Sequence, residues 1–322
     1  MKKLTPNKLN DYKTSFGIKK GKRVCNAPYT ALYFTPEGYI KACCGQDNHY
    51  AFGKYPHSGI AAALKSKNRR TLQKSIKKNS FNFGCHACYQ NIEEGNFEAA
   101  MSTQYLKYPP RRMPRVLEFE LSHYCNLDCI MCNLHTKNSH DHVYDEAFIH
   151  SLKPYLKHAT ASRFYGGEPF LIPMYKEIWN KIKKLNPEMQ IHIQSNGMVL
   201  NDEIEHLLKE MNVFLGISLD AMHKSVYEKI RKGGNFDILM RNIQKFQTIT
   251  QAQNKSINYS FCPMQINWNE ITEFVDFVNK NHGILFFNTV NTPKDLTLKR
   301  LSTKKLKTII TTLTEENIKS YN

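Results

Sequence analysis

The 322-residue chain has no run approaching roughly 18 consecutive apolar residues, so no membrane-spanning helix is expected. Residues 1–20 are polar and rich in lysine, with no apolar core of a secretory signal. A cytoplasmic location is therefore expected, where thiols stay reduced. The nine cysteines, an odd number, do not read as a disulfide framework there. Metal or cluster ligation is the better starting point. Acidic residues are few: 28 Asp and Glu stand against 45 Lys and Arg, for a formal net charge of +17. Helix-turn-helix, zinc-finger and RNA-binding patterns are also missing, so nucleic acid is not the favoured partner. Internal repeats and low-complexity tracts are absent as well. A hydrophobic fraction of 41% excludes wholesale disorder.

The basic excess is local. Residues 1–23 and 65–78 each carry a net charge of +7, residues 107–115 carry +4, and residues 294–307 carry +5. The remainder is mildly acidic. Such segments are either solvated surface or faces that attract an anionic partner.

The segment Tyr108-Pro109-Pro110-Arg111-Arg112-Met113-Pro114 resists both helix and central strand. It divides the sequence into a Cys-rich region (1–107), a Pro/Arg-rich linker (108–115) and a βα region (116–322). In the last, strand-like runs fall at Val116–Leu121, Ser162–Tyr165, Gln190–Gln194, Val213–Leu219, Ile257–Cys262 and Ile284–Val290. Helix-period stretches follow them at about Tyr144–Leu156, Met174–Leu185, Asp202–Glu210, Phe236–Ile249, Trp268–Asn281 and Thr303–Tyr321. Asn201-Asp202 and Ser302 are plausible helix starts. Six strands each followed by a helix predict an α/β fold around a parallel sheet. The region is too short for an eight-unit barrel, typically ~250 residues, and suits a six-unit partial barrel.

The first of these strands runs into Cys125-Asn126-Leu127-Asp128-Cys129-Ile130-Met131-Cys132, a C-x3-C-x2-C loop. Three thiolates can bind three irons of a cubane and leave the fourth open. A zinc site is the competing reading, with His135 as a fourth ligand. The second strand runs into Gly166-Gly167-Glu168-Pro169, whose glycines permit close approach and whose glutamate can accept from an ammonium. The third ends in Ser195-Asn196-Gly197 and the fourth in Gly216-Ile217-Ser218-Leu219-Asp220. Polar residues at the C-terminal ends of barrel strands face the mouth of such a barrel.

In this order, the motifs resemble the radical SAM superfamily, and the resemblance covers essentially all of residues 115–322. It implies a partial (β/α)6 TIM-like barrel with a [4Fe-4S] cluster on Cys125, Cys129 and Cys132. The open iron would bind the amino and carboxylate groups of S-adenosylmethionine (SAM). Met131 stands where the family often has an aromatic residue against the adenine. Gly166, Gly167 and Glu168 would hold the methionyl amino group, and Ser195 and Asn196 would lie beside the ribose. Ser218 and Arg231 would contact the carboxylate, with Asp220 near them. Strand-end capping by Ser218 and Asp220, and a surface position for Arg231, are the bland alternatives.

The Cys-rich region has its own pattern. Cys25 is followed by twelve residues, then Gly38 and Cys43 in a G-x4-C spacing, and later by Cys85-His86-Ala87-Cys88. Four thiolates suffice to close a cubane or a zinc site. Cys44 is the alternative to Cys43. A hairpin is expected around Tyr33–Ile40 with its turn at Pro36-Glu37-Gly38, and a helix over Gly59–Lys78. The spacing resembles the SPASM/twitch domain of radical SAM enzymes, which implies an auxiliary [4Fe-4S] cluster on Cys25, Cys43, Cys85 and Cys88. That domain usually follows the barrel; here it precedes it. Cys262, at the end of the fifth strand, is either a buried thiol or a hydrogen-atom donor at the barrel mouth.

The resemblance implies reductive cleavage of SAM to a 5′-deoxyadenosyl radical, which abstracts a substrate hydrogen atom. The electron would come from a donor such as flavodoxin or ferredoxin. Modification of a ribosomally made peptide is the first expectation. Oxidation or epimerisation of a small polar metabolite, such as a sugar or aminocyclitol, is the second. With few residues before Cys25, no separate leader-binding domain is expected there. A zinc-stapled nucleic-acid-binding protein is the reading from another class, and it leaves the Gly166–Pro169 turn and the βα order unexplained.

Overall fold

The computed structural model describes residues 3–19, 21–132 and 143–320. Its strands are β1 (Ala31–Phe34), β2 (Tyr39–Lys41), β3 (Gly53–Lys54), β4 (Val116–Phe119), β5 (Asp128–Cys129), β6 (Ala161–Phe164), β7 (Gln190–Ser195), β8 (Val213–Ser218), β9 (Arg231–Lys232), β10 (Asn258–Phe261) and β11 (Ile284–Phe287). The six strands expected of the βα region are β4, β6, β7, β8, β10 and β11. The fold is α/β with a mostly parallel sheet, consistent with the expected six-unit partial barrel. None of the described helices is long and apolar enough to cross a membrane.

The chain divides into two compact units. The first comprises residues 1–122, 140–166 and 174–190, and the second residues 123–139, 167–173 and 191–322. The expected linker at 108–115 therefore lies inside the first unit. The cause is backbone pairing: β1 runs parallel to β4, with Ala31 opposite Val116 and Phe34 opposite Phe119. Arg115 N–H donates to the Thr30 carbonyl at 2.6 Å, so pairing begins immediately after the proline segment. Prolines supply no ladder N–H, which keeps the connection itself out of the sheet.

Strands of the first unit lie in the order β3-β2-β1-β4-β6. The expected hairpin joins β1 and β2, with Tyr33 opposite Lys41. Its Gly38 has φ +88°, and a Cβ there would sit 2.4 Å from the Tyr55 carbonyl oxygen, so only glycine fits. Register then lines up Phe34, Phe119 and Phe164 on one face of β1, β4 and β6. Their rings stack at 5.4 and 5.0 Å between centroids. Phe148 packs edge-on against Phe34, and Tyr175 and Trp179 pack edge-on against Phe164. Each such pair contributes about 0.5–1.5 kcal/mol beyond burial. The opposite face of β4 carries Glu118, which accepts from Arg163 Nη1 at 2.8 Å and from Tyr105 O–H at 2.6 Å.

Two expected helices are each split. Tyr144–Leu156 forms Glu146–Ser151 and Lys153–Leu156, broken just ahead of Pro154, which lacks an N–H. Gly59–Lys78 forms Ile60–Leu64 and Lys67–Lys77, the second restarted by Ser66, which accepts from Arg69 N–H. The last helix is Thr303–Ser320, with Ser302 Oγ accepting from Lys305 N–H; the expected end, Tyr321, lies outside the described residues.

In the second unit β7, β8, β10 and β11 are parallel neighbours in that order. Asn201 caps the helix Asp202–Glu210, as expected, and Asn235 caps Phe236–Gln251. The helix Lys224–Ile230 was not expected. β11 is an edge strand, and its four apolar residues Ile284, Leu285, Phe286 and Phe287 are all exposed. Replacing Phe119 by Ala removes the middle ring of the aromatic ladder. We expect a loss of about 3–5 kcal/mol, read as a lowered urea midpoint of the cluster-free protein.

Candidate active site

The expected site residues of the second unit gather at the C-terminal ends of its parallel strands, where α/β folds place their ligands. The cysteine loop reaches this place through a two-stranded ribbon. Asp128 and Cys129 of β5 pair antiparallel with Lys232 and Arg231 of β9. Ile130 N–H extends the ribbon to the Ile230 carbonyl at 2.9 Å, and Cys132 N–H turns back onto the Cys129 carbonyl at 3.0 Å. Cys125, Cys129 and Cys132 are all half-buried, as is Met131 in the turn between them.

The glycine pair explains how the loop is held. A Cβ on Gly167 would lie 1.9 Å from the Tyr124 carbonyl oxygen. Gly166, at φ +109°, would bring one within 2.3 Å of the Ser122 carbonyl oxygen. The turn therefore presses its backbone against the residues leading into Cys125. Glu168 N–H donates to the Tyr124 carbonyl at 2.8 Å. The close approach that the glycines permit is thus, in this structure, an approach to the chain's own cysteine loop.

Glu168 is fully buried. Its Oε1 accepts from Ser195 O–H at 2.9 Å and Phe170 N–H at 3.2 Å, and its Oε2 accepts from Asn196 N–H at 2.8 Å. Three of about four lone-pair sites are taken, leaving room for one more donor, such as an ammonium. Burial pushes the carboxyl up to about 7, while these donors and Arg231 pull it down. Asn196 continues the chain of contacts: its Nδ2 donates to Asn126 Oδ1 at 2.8 Å and toward Cys125 Sγ at 3.8 Å. Leu127 N–H also donates to that sulfur, at 3.4 Å.

Arg231 and Asp220 are both buried, and Arg231 Nη2 lies 2.6 Å from Asp220 Oδ2. This excludes the surface position considered for Arg231. Its Nη1 donates toward Cys129 Sγ at 3.7 Å. Burial pushes the Cys129 thiol up to about 11, against the pull of Arg231. Asp220 Oδ1 accepts from Cys262 N–H at 2.6 Å, and the Asp220 carbonyl accepts from Asn267 Nδ2 at 2.7 Å. Cys262 is half-buried, and burial followed by Asp220 raises its thiol.

Ser218 is reached by a residue that sequence reasoning missed. Gln194 Nε2 donates to both Ser218 Oγ and Ser260 Oγ at 3.0 Å, linking β7, β8 and β10. Its signal was present: in β7 the half-buried Gln190, His192 and Gln194 alternate with the buried Ile191, Ile193 and Ser195. Asn267 and Asn126 carried no such signal, because they act from irregular segments. His135, the proposed zinc ligand, lies outside the described residues.

The four N-terminal cysteines belong to the first unit. Cys25, Cys43, Cys85 and Cys88 line one pocket with apolar neighbours that include Leu72, Ile76 and Phe81. Cys44 is exposed and is not part of that lining. A Cβ on Gly84 would lie 2.7 Å from Asp47 N, whose N–H donates to the Gly84 carbonyl at 3.2 Å. That close approach joins the Cys43 loop to the segment that opens the helix His86–Glu93. Burial raises the Cys25 and Cys43 thiols, and neighbouring thiolates raise them further. As thiolates, these four would need a compensating cation, the chemistry a metal or cluster supplies. Among the described residues, however, no group of three or more His, Cys, Asp or Glu side chains is arranged to hold a metal ion.

In the second unit the donor set of Cys125, Cys129 and Cys132 suits an iron–sulfur cluster by its chemistry, although these side chains too are not arranged to hold a metal ion in this structure. Backbone, amide and guanidinium N–H groups point at two of their sulfurs. Arg231 Nε is a buried donor with no hydrogen-bond partner, suited to an anionic group such as a carboxylate. Residues 119–278 match the family model described as the Radical SAM superfamily.

Residues 119–278 are a radical SAM domain. Over 162 residues the chain is 28% identical to a GTP 3′,8-cyclase of Clostridium botulinum, covering 48% of this chain and 50% of that protein. Over 138 residues it is 32% identical to a cysteine-type anaerobic sulfatase-maturating enzyme of Clostridium novyi, covering 37% of each. The chain thus spans about half the length, or less, of these curated relatives. Among solved structures, SuiB of Streptococcus suis bound to SAM shares the fold at a TM-score of 0.51 and 15% identity, covering 82% of this chain and 61% of that one.

Glu168 generates a pH dependence. Its folded value, about 7, exceeds the ordinary 4.5, so between those values the folded chain binds more protons than the unfolded one. Stability is then expected to fall as pH rises through that window, by about 3 kcal/mol in all. Glu168→Gln cannot titrate, and urea midpoints measured across the window should lose this slope.

Proposed function

We propose that the chain reductively cleaves SAM and removes a hydrogen atom from a peptide substrate in the cytoplasm. The observation that carries the cleavage reading is the loop of Cys125, Cys129 and Cys132, held at the strand ends by Gly167, Glu168, Asn196 and Arg231 inside the matched domain. The three thiolates would hold a [4Fe-4S] cluster with one open iron. When bound, the cluster and SAM supply one-electron cleavage of a sulfonium C–S bond and a radical able to take a hydrogen atom.

The chain's own residues orient and shield that chemistry. Glu168 offers its remaining lone pair to the methionyl ammonium, in a turn built from Gly166 and Gly167. With SAM bound, Ser195 and Asn196 would contact the ribose, Met131 the adenine, and Ser218 and the Nε of Arg231 the carboxylate. Asp220 keeps the guanidinium in place. Cys262, whose backbone N–H donates to Asp220 Oδ1, would be the residue that returns a hydrogen atom. Residues 1–107 act as a twitch-like region in which Cys25, Cys43, Cys85 and Cys88 hold an auxiliary [4Fe-4S] cluster. The external electron comes from a donor such as flavodoxin or ferredoxin.

Two observations support a peptide. SuiB, which shares the fold, has been solved with its precursor peptide SuiA. The exposed apolar edge strand β11, followed by the basic segment 294–307, suits an extended acidic chain adding a strand. The GTP 3′,8-cyclases favour a second reading, a phosphorylated or nucleotide-linked small molecule, which the basic segments would also attract. Mass spectrometry of candidate peptides and nucleotides after anaerobic turnover separates the two.

Cys129→Ala is expected to abolish formation of 5′-deoxyadenosine; cleavage at the wild-type rate would refute the loop assignment. Cys85→Ala is expected to remove about half of the iron while SAM cleavage survives. Full iron retention in that variant would refute the auxiliary cluster.

A further inference from the structure

Arg231 touches the cysteine loop twice. Its backbone pairs with Cys129 in the β5–β9 ribbon, and its Nη1 donates toward Cys129 Sγ at 3.7 Å. The other arm of the guanidinium meets Asp220 Oδ2 at 2.6 Å. Asp220 is fully buried and cannot swing away. Its Oδ1 is held by Cys262 N–H, and its carbonyl by Asn267 Nδ2. Asn267 Nδ2 also reaches the Cys262 carbonyl at 3.1 Å, and Asn267 Oδ1 accepts from Met264 N–H at 2.7 Å.

The ion pair is therefore oriented. Its negative end is locked into the segment after β10, and its positive end is turned toward a sulfur of the loop. The guanidinium is planar and permanently charged, so it presents a fixed cationic donor rather than a mobile one. Hydrogen bonds to thiolate sulfur and nearby positive charge both favour the more negative, reduced state of an iron–sulfur cluster. In a site shielded from water such contacts act with less screening.

We propose that Arg231, fixed by Asp220, is a positioning residue that holds the Cys129 thiolate and raises the reduction potential of the cluster carried by this loop. The proposal rests on the reading of Cys125, Cys129 and Cys132 as cluster ligands. It gives Arg231 a role that is present before SAM binds.

The test is a redox titration of the anaerobically reconstituted full chain without SAM. It is followed on the electron paramagnetic resonance (EPR) signal that added SAM perturbs in a parallel sample, with iron and sulfide counted in each. Arg231→Met is expected to lower the ratio of reduced to oxidised cluster at a given potential about tenfold, a shift of about 59 mV for one electron. Arg231→Lys keeps the charge and is expected to recover most of that shift. A midpoint unchanged in Arg231→Met at wild-type iron content overturns the proposal. Should Arg231→Met lose its iron, recovery of iron and midpoint in Arg231→Lys sustains the proposal. Loss of iron from both variants overturns it. Wild-type protein without iron overturns the underlying reading of the cysteines instead.

Discussion

The contact on which the site depends is the van der Waals approach of Gly167 to the Tyr124 carbonyl. The residues from Tyr124 to Cys132 form only a two-residue strand of their own, so their shape must be imposed from outside. Gly167 and the Glu168 N–H fix the entry to Cys125. Asn196, at the end of β7, reaches the Cys125 sulfur and Asn126. The β9 backbone and the Arg231 guanidinium fix Cys129. No other residue fits at Gly167, because any Cβ there would overlap a backbone oxygen that has nowhere to move. The Gly166-Gly167-Glu168 motif is therefore a structural support for the thiolates before it is anything else.

Polar satisfaction has the same logic throughout the second unit. Glu168, Asp220 and Arg231 are buried, and an unpaired charge there would cost several kcal/mol. Each finds partners supplied by a different strand end. Glu168 draws on Ser195 and Asn196 at the end of β7. Asp220, just beyond β8, draws on Cys262 and Asn267 after β10. The parallel strands thus work as a rigid frame whose C-terminal ends exchange hydrogen bonds. In the first unit the corresponding rigidity comes from β4, whose two faces carry an aromatic ladder and a buried Glu118–Arg163 pair.

Much of this was legible in the sequence. The six βα strands are β-branched or aromatic runs, and the observed strands match them to within a few residues. The cysteine spacing and the Gly166–Pro169 turn were visible because glycine and cysteine do jobs that other residues cannot. The pairing of β1 with β4 was not legible, since a parallel pairing between distant segments leaves no local periodicity. It made the expected linker an exposed connection within the first unit rather than a boundary between units. The helix breaks at Leu152 and Ser66 were missed because apolar spacing continued across them, although Pro154 and Ser66 marked both. Arg231 was read as a contact for a carboxylate or as surface. Its position beside Cys129 follows from the β5–β9 ribbon, which is too short to show as a strand pattern.

The proposed chemistry requires that the loop of Cys125, Cys129 and Cys132 hold a cluster with an iron open to SAM. EPR spectra of the reduced, anaerobically reconstituted protein, recorded with and without SAM, test it most directly. We expect a cluster signal of which one component changes shape when SAM is added, while a second component stays the same. A reduced cluster signal wholly indifferent to saturating SAM, or a protein that binds zinc and no iron, would contradict it.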